Sequence, residues 1–196
     1  MTKRIEFFYD YGSPFSWFAD LRMPAIAAAH GAELVYRPVL LGAVVIGSGN
    51  TPPPTVPAKA AYYGTDMARW ARRLGVAYAP NPAFPINSLT VMRGTLVAQA
   101  RGEFEPWHQA MWKAMWQQGR DLADADVLRE VIDGAGLDAD AILAGTADPD
   151  VKQALKANVD EALARGAFGL PTFFIGDEFW FGNDRVDFVE DALRDA

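Results

Sequence analysis

Residues Ile5–Trp17 read IEFFYDYGSPFSW, and the turn inside this stretch decides the fold. Ile5–Tyr9 is an apolar, aromatic run with one glutamate, the pattern of a buried strand. Asp10-Tyr11-Gly12 breaks the run. Ser13-Pro14 then opens a helix, with serine as N-cap and proline at the first helical position, where its missing N–H is no loss. At such a strand-to-helix corner, redox proteins carry a cysteine pair. This chain has 0 cysteines. Disulfide exchange needs a protein thiol, so a disulfide oxidoreductase is excluded. Any sulfur acting at the corner must come from another molecule.

The elements on either side extend the pattern. Pro14–Ala29 reads as a helix, and Pro24 inside it should kink or split it. His30-Gly31 is a stop signal, and Glu33–Pro38 is a second strand. Strand, crossover helix and strand make a right-handed parallel βαβ unit. Gly47–Pro57 (GSGNTPPPTVP) is a loop. Ala58–Leu74 turns helical, with Tyr62, Met67, Trp70 and Leu74 near helical spacing. Ala79–Pro85 is a second proline-rich loop. Asn87–Ala100, Pro106–Gln118, Asp124–Gly134 and Asp138–Ala144 read as helices, Asp124 and Asp138 as N-caps. Asp148-Pro149 starts a further helix to Arg165. After the break at Gly166–Pro171, Thr172–Ile175 and Glu178–Phe181 form a hairpin around Gly176-Asp177. Gly182-Asn183-Asp184 caps a last helix, Arg185–Arg194. The order β-α-β, helices, β-β-α predicts an α/β fold. One sheet domain, residues 1–60 and 166–196, is interrupted by an inserted all-helical domain, residues 61–165.

The bulk numbers suit a single folded unit of this kind. The 196 residues are 51% hydrophobic, with 12 Phe, 6 Trp and 6 Tyr, enough for a substantial core. A net charge of -7 argues against nucleic acid as a partner. No apolar run reaches the roughly 18 residues of a membrane span. The N-terminus shows no secretory h-region, so the expectation is a cytoplasmic protein with no membrane partner.

Ser13 is the first candidate for chemistry. Its hydroxyl reads as a plain cap, but the same geometry would stabilise an anion, because a helix N-terminus offers free N–H groups. A thiolate placed there has its pKa lowered, and the Ser13 hydroxyl would donate to that sulfur. An acyl nucleophile is rejected, since there is no Gly-x-Ser-x-Gly elbow. His30 reads as a helix-end partner and His108 as a packed or surface residue, and neither fits a metal pattern. Leu170-Pro171 precedes a strand; a cis bond there would turn the Leu170 backbone outward to pair with an extended peptide. Asn183 and Asp184 read as a cap, or as a pair that recognises an amino-acid headgroup. Asn50 and Lys59 flank the proline loop, and a lysine within reach of the corner would bind a carboxylate. The tryptophans of the helical segment read as core.

Taken together, FFYDYGSPFSW, GNTPPPTVPAK, RWARRLGV, FPIN and GAFGLPTFFIGDEFWFGNDR resemble the kappa-class glutathione transferases and the 2-hydroxychromene-2-carboxylate isomerases. Both belong to the DsbA-like branch of the thioredoxin fold. The resemblance implies a glutathione-dependent enzyme, usually a homodimer. An isomerase would act on a small aromatic or unsaturated oxo acid in aromatic-compound degradation; a transferase would conjugate electrophiles; the further alternative is a glutathione- or peptide-binding module without chemistry. It implies that Ser13 stands beside the glutathione sulfur and that Asn50 and Lys59 help to bind. Leu170 would offer its backbone before a cis Pro171, and Asn183 and Asp184 would hold the γ-glutamyl end. The isomerases carry a basic residue near Ala43-Val44-Val45, where this chain has none. Arg37 and Lys59 are therefore the candidates for a substrate carboxylate, with Phe15 also on the substrate side.

Overall fold

The computed structural model describes residues 3–52 and 55–195, so Pro53 and Pro54 of the expected loop lie outside the described residues. Strands β1 (Arg4–Tyr9), β2 (Glu33–Pro38), β3 (Thr172–Ile175) and β4 (Glu178–Phe181) form one sheet in the order β2-β1-β3-β4. β1 and β2 are parallel, with Ile5 opposite Leu34 and Tyr9 opposite Pro38. β3 runs antiparallel to β1, and β4 closes the hairpin. The sheet thus joins the two ends of the chain and places β1 in its interior.

Successive side chains of a strand point to opposite faces, and β1 is covered on both. Phe7 stacks on Phe173, with centroids 4.9 Å apart, in the larger core. Phe8 meets Phe174 edge-on at 5.3 Å in a smaller core on the other face. Burial on both faces explains why IEFFY lacks polar alternation.

The expected Pro14–Ala29 helix is divided into α1 (Pro14–Asp20) and α2 (Met23–Ala29). Pro24 lies in the first turn of α2, where proline is tolerated. A helix absent from the sequence reading, α3 (Leu41–Gly47), follows β2 and buries Val44 and Val45. Then come α4 (Pro57–Leu74), α5 (Leu89–Arg101) and α6 (Phe104–Trp112). α6 runs on into a π-helical turn, Lys113–Gln117, rather than continuing as regular helix. α7 (Ala125–Gly134), α8 (Ala139–Gly145) and α9 (Pro149–Ala164) each begin at an aspartate, Asp124, Asp138 and Asp148, whose side chain accepts from first-turn amides. The last helix, α10 (Val186–Asp195), is preceded by a 3-10 turn at Asn183–Arg185.

One apolar core runs from Ile5 and Phe7 of the sheet through Trp17 and Trp107 to Leu128 and Ile132 of the helices. α3 and α9 cover the opposite face. No helix among the described residues is long and apolar enough to cross a membrane.

Candidate active site

The corner after β1 is held from beneath by Asp10, which is 1% exposed. Asp10 Oδ1 accepts from Gly12 N–H at 2.8 Å. Oδ2 accepts from Leu41 N–H at 2.8 Å and from the Ser88 hydroxyl at 2.8 Å. Its carbonyl accepts from Ser13 N–H at 2.9 Å. One buried carboxylate therefore ties the corner to the starts of α3 and α5. Ser88 flanks α5 yet caps nothing with its side chain, because its hydroxyl is engaged by Asp10. Burial pushes the Asp10 pKa up, and the three donors pull it partly back. Asp10 was missed in the sequence, although a lone carboxylate ending an apolar strand was the signal.

Ser13 is 2% exposed and caps α1. Its Oγ accepts from Ser16 N–H at 3.1 Å and donates to the Leu170 carbonyl at 3.4 Å. The peptide bond between Leu170 and Pro171 is cis. The helix start and the segment before β3 thus face each other. The division of the expected helix leaves α1 with 7 residues. Electrostatics at Ser13 are therefore those of nearby polar groups rather than of a long helix dipole. Phe15 is half-buried and meets Tyr63 of α4 edge-on at 5.0 Å.

The remaining expected site residues fall into two groups. Asn50 is exposed, and its amide donates to the Phe168 carbonyl at 3.0 Å, pinning the loop after α3 to the break before β3. Asn183 is 4% exposed, and its amide nitrogen has no partner among the described residues. Asp184 beside it is exposed and pairs with Arg185 at 2.6 Å. Lys59 is exposed in the first turn of α4. Arg37 is engaged elsewhere. It pairs with Glu6 at 3.3 Å and with Glu161 of α9, and lies over the Phe8 ring at 5.2 Å. Two carboxylates already meet its charge, so it does not stand free for a substrate at the corner.

His108 is buried, 2.8 Å from the Tyr11 hydroxyl through Nδ1 and 3.0 Å from Asp20 through Nε2. Neither contact leads to Ser13. Among the described residues, no group of three or more His, Cys, Asp or Glu is arranged to hold a metal ion.

Comparison with known proteins matches this geometry to a family. Residues 4–194 match the DSBA-like thioredoxin domain. The 2-hydroxychromene-2-carboxylate isomerase of Sphingobium xenophagum is 32% identical over 197 residues, covering 100% of both chains. Glutathione S-transferase kappa 1 of Homo sapiens is 26% identical over 211 residues, covering 98% of this chain and 92% of the relative. A solved 2-hydroxychromene-2-carboxylate isomerase superposes with a TM-score of 0.87 at 27% identity, covering 98% of this chain and 95% of that one.

Proposed function

We infer that this chain, which belongs to the DSBA-like thioredoxin domain family, isomerises an unsaturated 2-oxo acid with the help of glutathione. Full-length relatives are named as isomerases and as kappa-class glutathione transferases, both enzymes, and this chain is an enzyme too. The observation that carries the reading is the buried Ser13 hydroxyl, set at a helix start opposite Leu170 in a chain without cysteine.

The residues fit the tripeptide. Ser13 has only a long hydrogen bond to Leu170, which it can exchange for a better acceptor. Asn183 keeps a buried amide donor without a partner among the described residues, as a site for a polar ligand end requires. Ser13, Asn50, Lys59, Leu170, Asn183 and Asp184 would hold glutathione. When bound, it supplies the nucleophilic sulfur that the chain lacks, whose reversible addition to a conjugated double bond lets that bond rotate.

The chain's own part is binding and orientation. Ser13 donates its proton to an anion in place of the Leu170 carbonyl, and a bond to a charged acceptor is roughly twice as strong as a neutral one. Lys59 offers positive charge to a carboxylate, and Phe15 with Tyr63 forms an apolar wall. Asp10 fixes the backbone from which Ser13 projects.

Glutathione stoichiometry tests the reading. Purified protein is given glutathione and 2-hydroxychromene-2-carboxylate, and product and free thiol are followed together. Isomerisation requires glutathione and leaves the thiol count unchanged. Loss of one thiol per turnover would move the assignment to the transferase reading, which the full-length similarity to the kappa enzyme favours. A protein that does not bind glutathione would overturn both.

A further inference from the structure

At the end of α1 remote from Ser13, a cavity of about 720 Å³ opens between α1, α2, the start of β2 and α6. Asp20, the last residue of α1, lines it with a side chain 12% exposed. Asp20 Oδ1 accepts from the Tyr36 hydroxyl at 2.8 Å and lies 3.0 Å from His108 Nε2. These two contacts orient the carboxylate. Its other oxygen has no hydrogen-bond partner among the described residues, and the side chain is part of the cavity lining. Half-buried Tyr36 supplies an aromatic wall and exposed Ala28 a small apolar one, while Trp17 and Trp112 reach the cavity only with the edges of buried rings. Glu105 and Lys113 are exposed at the rim, and Lys113 makes no ion pair with Asp20 among the described residues.

We propose that this cavity binds a small organic cation, a primary or secondary ammonium carried on an aromatic or aliphatic body. Roughly 300–1,000 Å³ is the usual size of a small-molecule pocket. An oriented carboxylate with one oxygen free gives an ammonium a charge-assisted hydrogen bond. The half-buried Tyr36 ring and the alanine wall cover its apolar body. The fixed charges of Asp20, Glu105 and Lys113 along the cavity are two negative and one positive, which disfavours an anion. The site is separate from the corner. Asp20 lies seven residues beyond Ser13, roughly 10 Å along the helix axis. None of its residues has a part in the isomerisation.

The full chain is titrated calorimetrically with tryptamine, with its neutral alcohol counterpart tryptophol and with the anion indole-3-propionate. Tryptamine should bind, tryptophol at least about tenfold more weakly, and the anion not at all. Asp20→Asn should weaken tryptamine by at least about tenfold. Ala28→Phe leaves the Asp20 contacts in place and fills the space from an exposed wall; it should abolish tryptamine binding with an unchanged circular dichroism spectrum. If Asp20→Asn does not fold, Ala28→Phe and the ligand series decide. Equal binding of all three ligands, no binding of tryptamine at millimolar concentration, or wild-type affinity in either folded variant would overturn the proposal.

Discussion

The Ser13 hydroxyl meets the Leu170 carbonyl at 3.4 Å, joining two points 157 residues apart in the chain. The same oxygen accepts from Ser16 N–H, so it has both a capping and a donating capacity. Ser13→Ala separates them. Loss of the cap costs about 1 kcal/mol, too little to unfold a domain of ordinary stability. Loss of a donor to developing charge costs about 10²–10³ in turnover. The variant should therefore melt a few degrees lower and lose most of its kcat at saturating glutathione. The ultraviolet thiolate band of bound glutathione should also titrate at higher pH. A folded variant with wild-type kcat would leave Ser13 as a cap and nothing more.

Asp10 gives a pH signature with a definite sign. Burial is the larger influence on its pKa and raises it, against the opposing donors of Leu41, Gly12 and Ser88. A carboxyl whose folded pKa lies above its unfolded value, about 3.9, contributes stability that is full below that value and is lost as pH rises through the folded pKa. Asp10→Asn removes the titration and sets an amide N–H₂ against donors, which costs about 1–3 kcal/mol. The stability gap between wild type and variant should be widest near pH 4 and should narrow toward neutrality. Urea unfolding at half-unit pH steps measures it. A gap that widens with pH would mean that the three hydrogen bonds outweigh burial.

The parts of this site that were legible in the sequence are those fixed by local chemistry. Ser13-Pro14 announces a helix start whatever surrounds it, and Thr172–Phe181 carries its own turn. α3 was not legible. LGAVVIG has no polar face, and Leu40 before it offers no capping side chain, so only packing in the smaller core selects helix. The π-helical turn at Lys113–Gln117 is likewise tertiary. There the Trp116 indole reaches the Tyr11 carbonyl at 2.9 Å, while the Trp116 carbonyl accepts from Ala79 N–H at 2.9 Å. Asp10 acquires its role from Leu41 and Ser88, 31 and 78 residues away. The same distance effect hides the partners of Arg37, Glu6 and Glu161, which come from a neighbouring strand and a remote helix.

That geometry divides the two basic candidates. Arg37→Met removes a charge already met by Glu6 and Glu161 on the α9 side of the sheet. It should lower stability by about 1 kcal/mol or less, since Arg165 still pairs with both Glu6 and Glu161, and should leave KM for the oxo acid unchanged. Lys59→Ala touches no described ion pair and should keep the wild-type melting temperature. It should raise the KM of glutathione or of the oxo acid several-fold, because it removes the charge proposed to bind a carboxylate. Initial rates with each reactant varied in turn show which. A raised oxo-acid KM in Arg37→Met, with Lys59→Ala silent, would reverse the assignment.

Two helical glycines test the packing that holds the helices to the sheet. In a helix, alanine is better than glycine by about 1 kcal/mol, so Gly→Ala stabilises wherever a methyl group has room. At Gly64 of α4 a β-carbon would meet nothing within 4 Å, and Gly64→Ala should raise stability by up to about 1 kcal/mol. At Gly94 of α5 the β-carbon would overlap Trp107 Cη2 and lie 2.7 Å from Cζ2. Trp107 is 0% exposed, and its indole N–H is fixed on the Thr95 hydroxyl at 3.1 Å, so the ring has nowhere to move. Overpacking of this kind costs about 1–3 kcal/mol and outweighs the propensity gain. Gly94→Ala should therefore melt lower while Gly64→Ala melts higher. Adding Trp107→Phe, which removes the outer ring, should make Gly94→Ala less damaging in a double-mutant cycle. The close approach of α5 to α6 would lose its energetic meaning if both alanines shifted the melting temperature upward together.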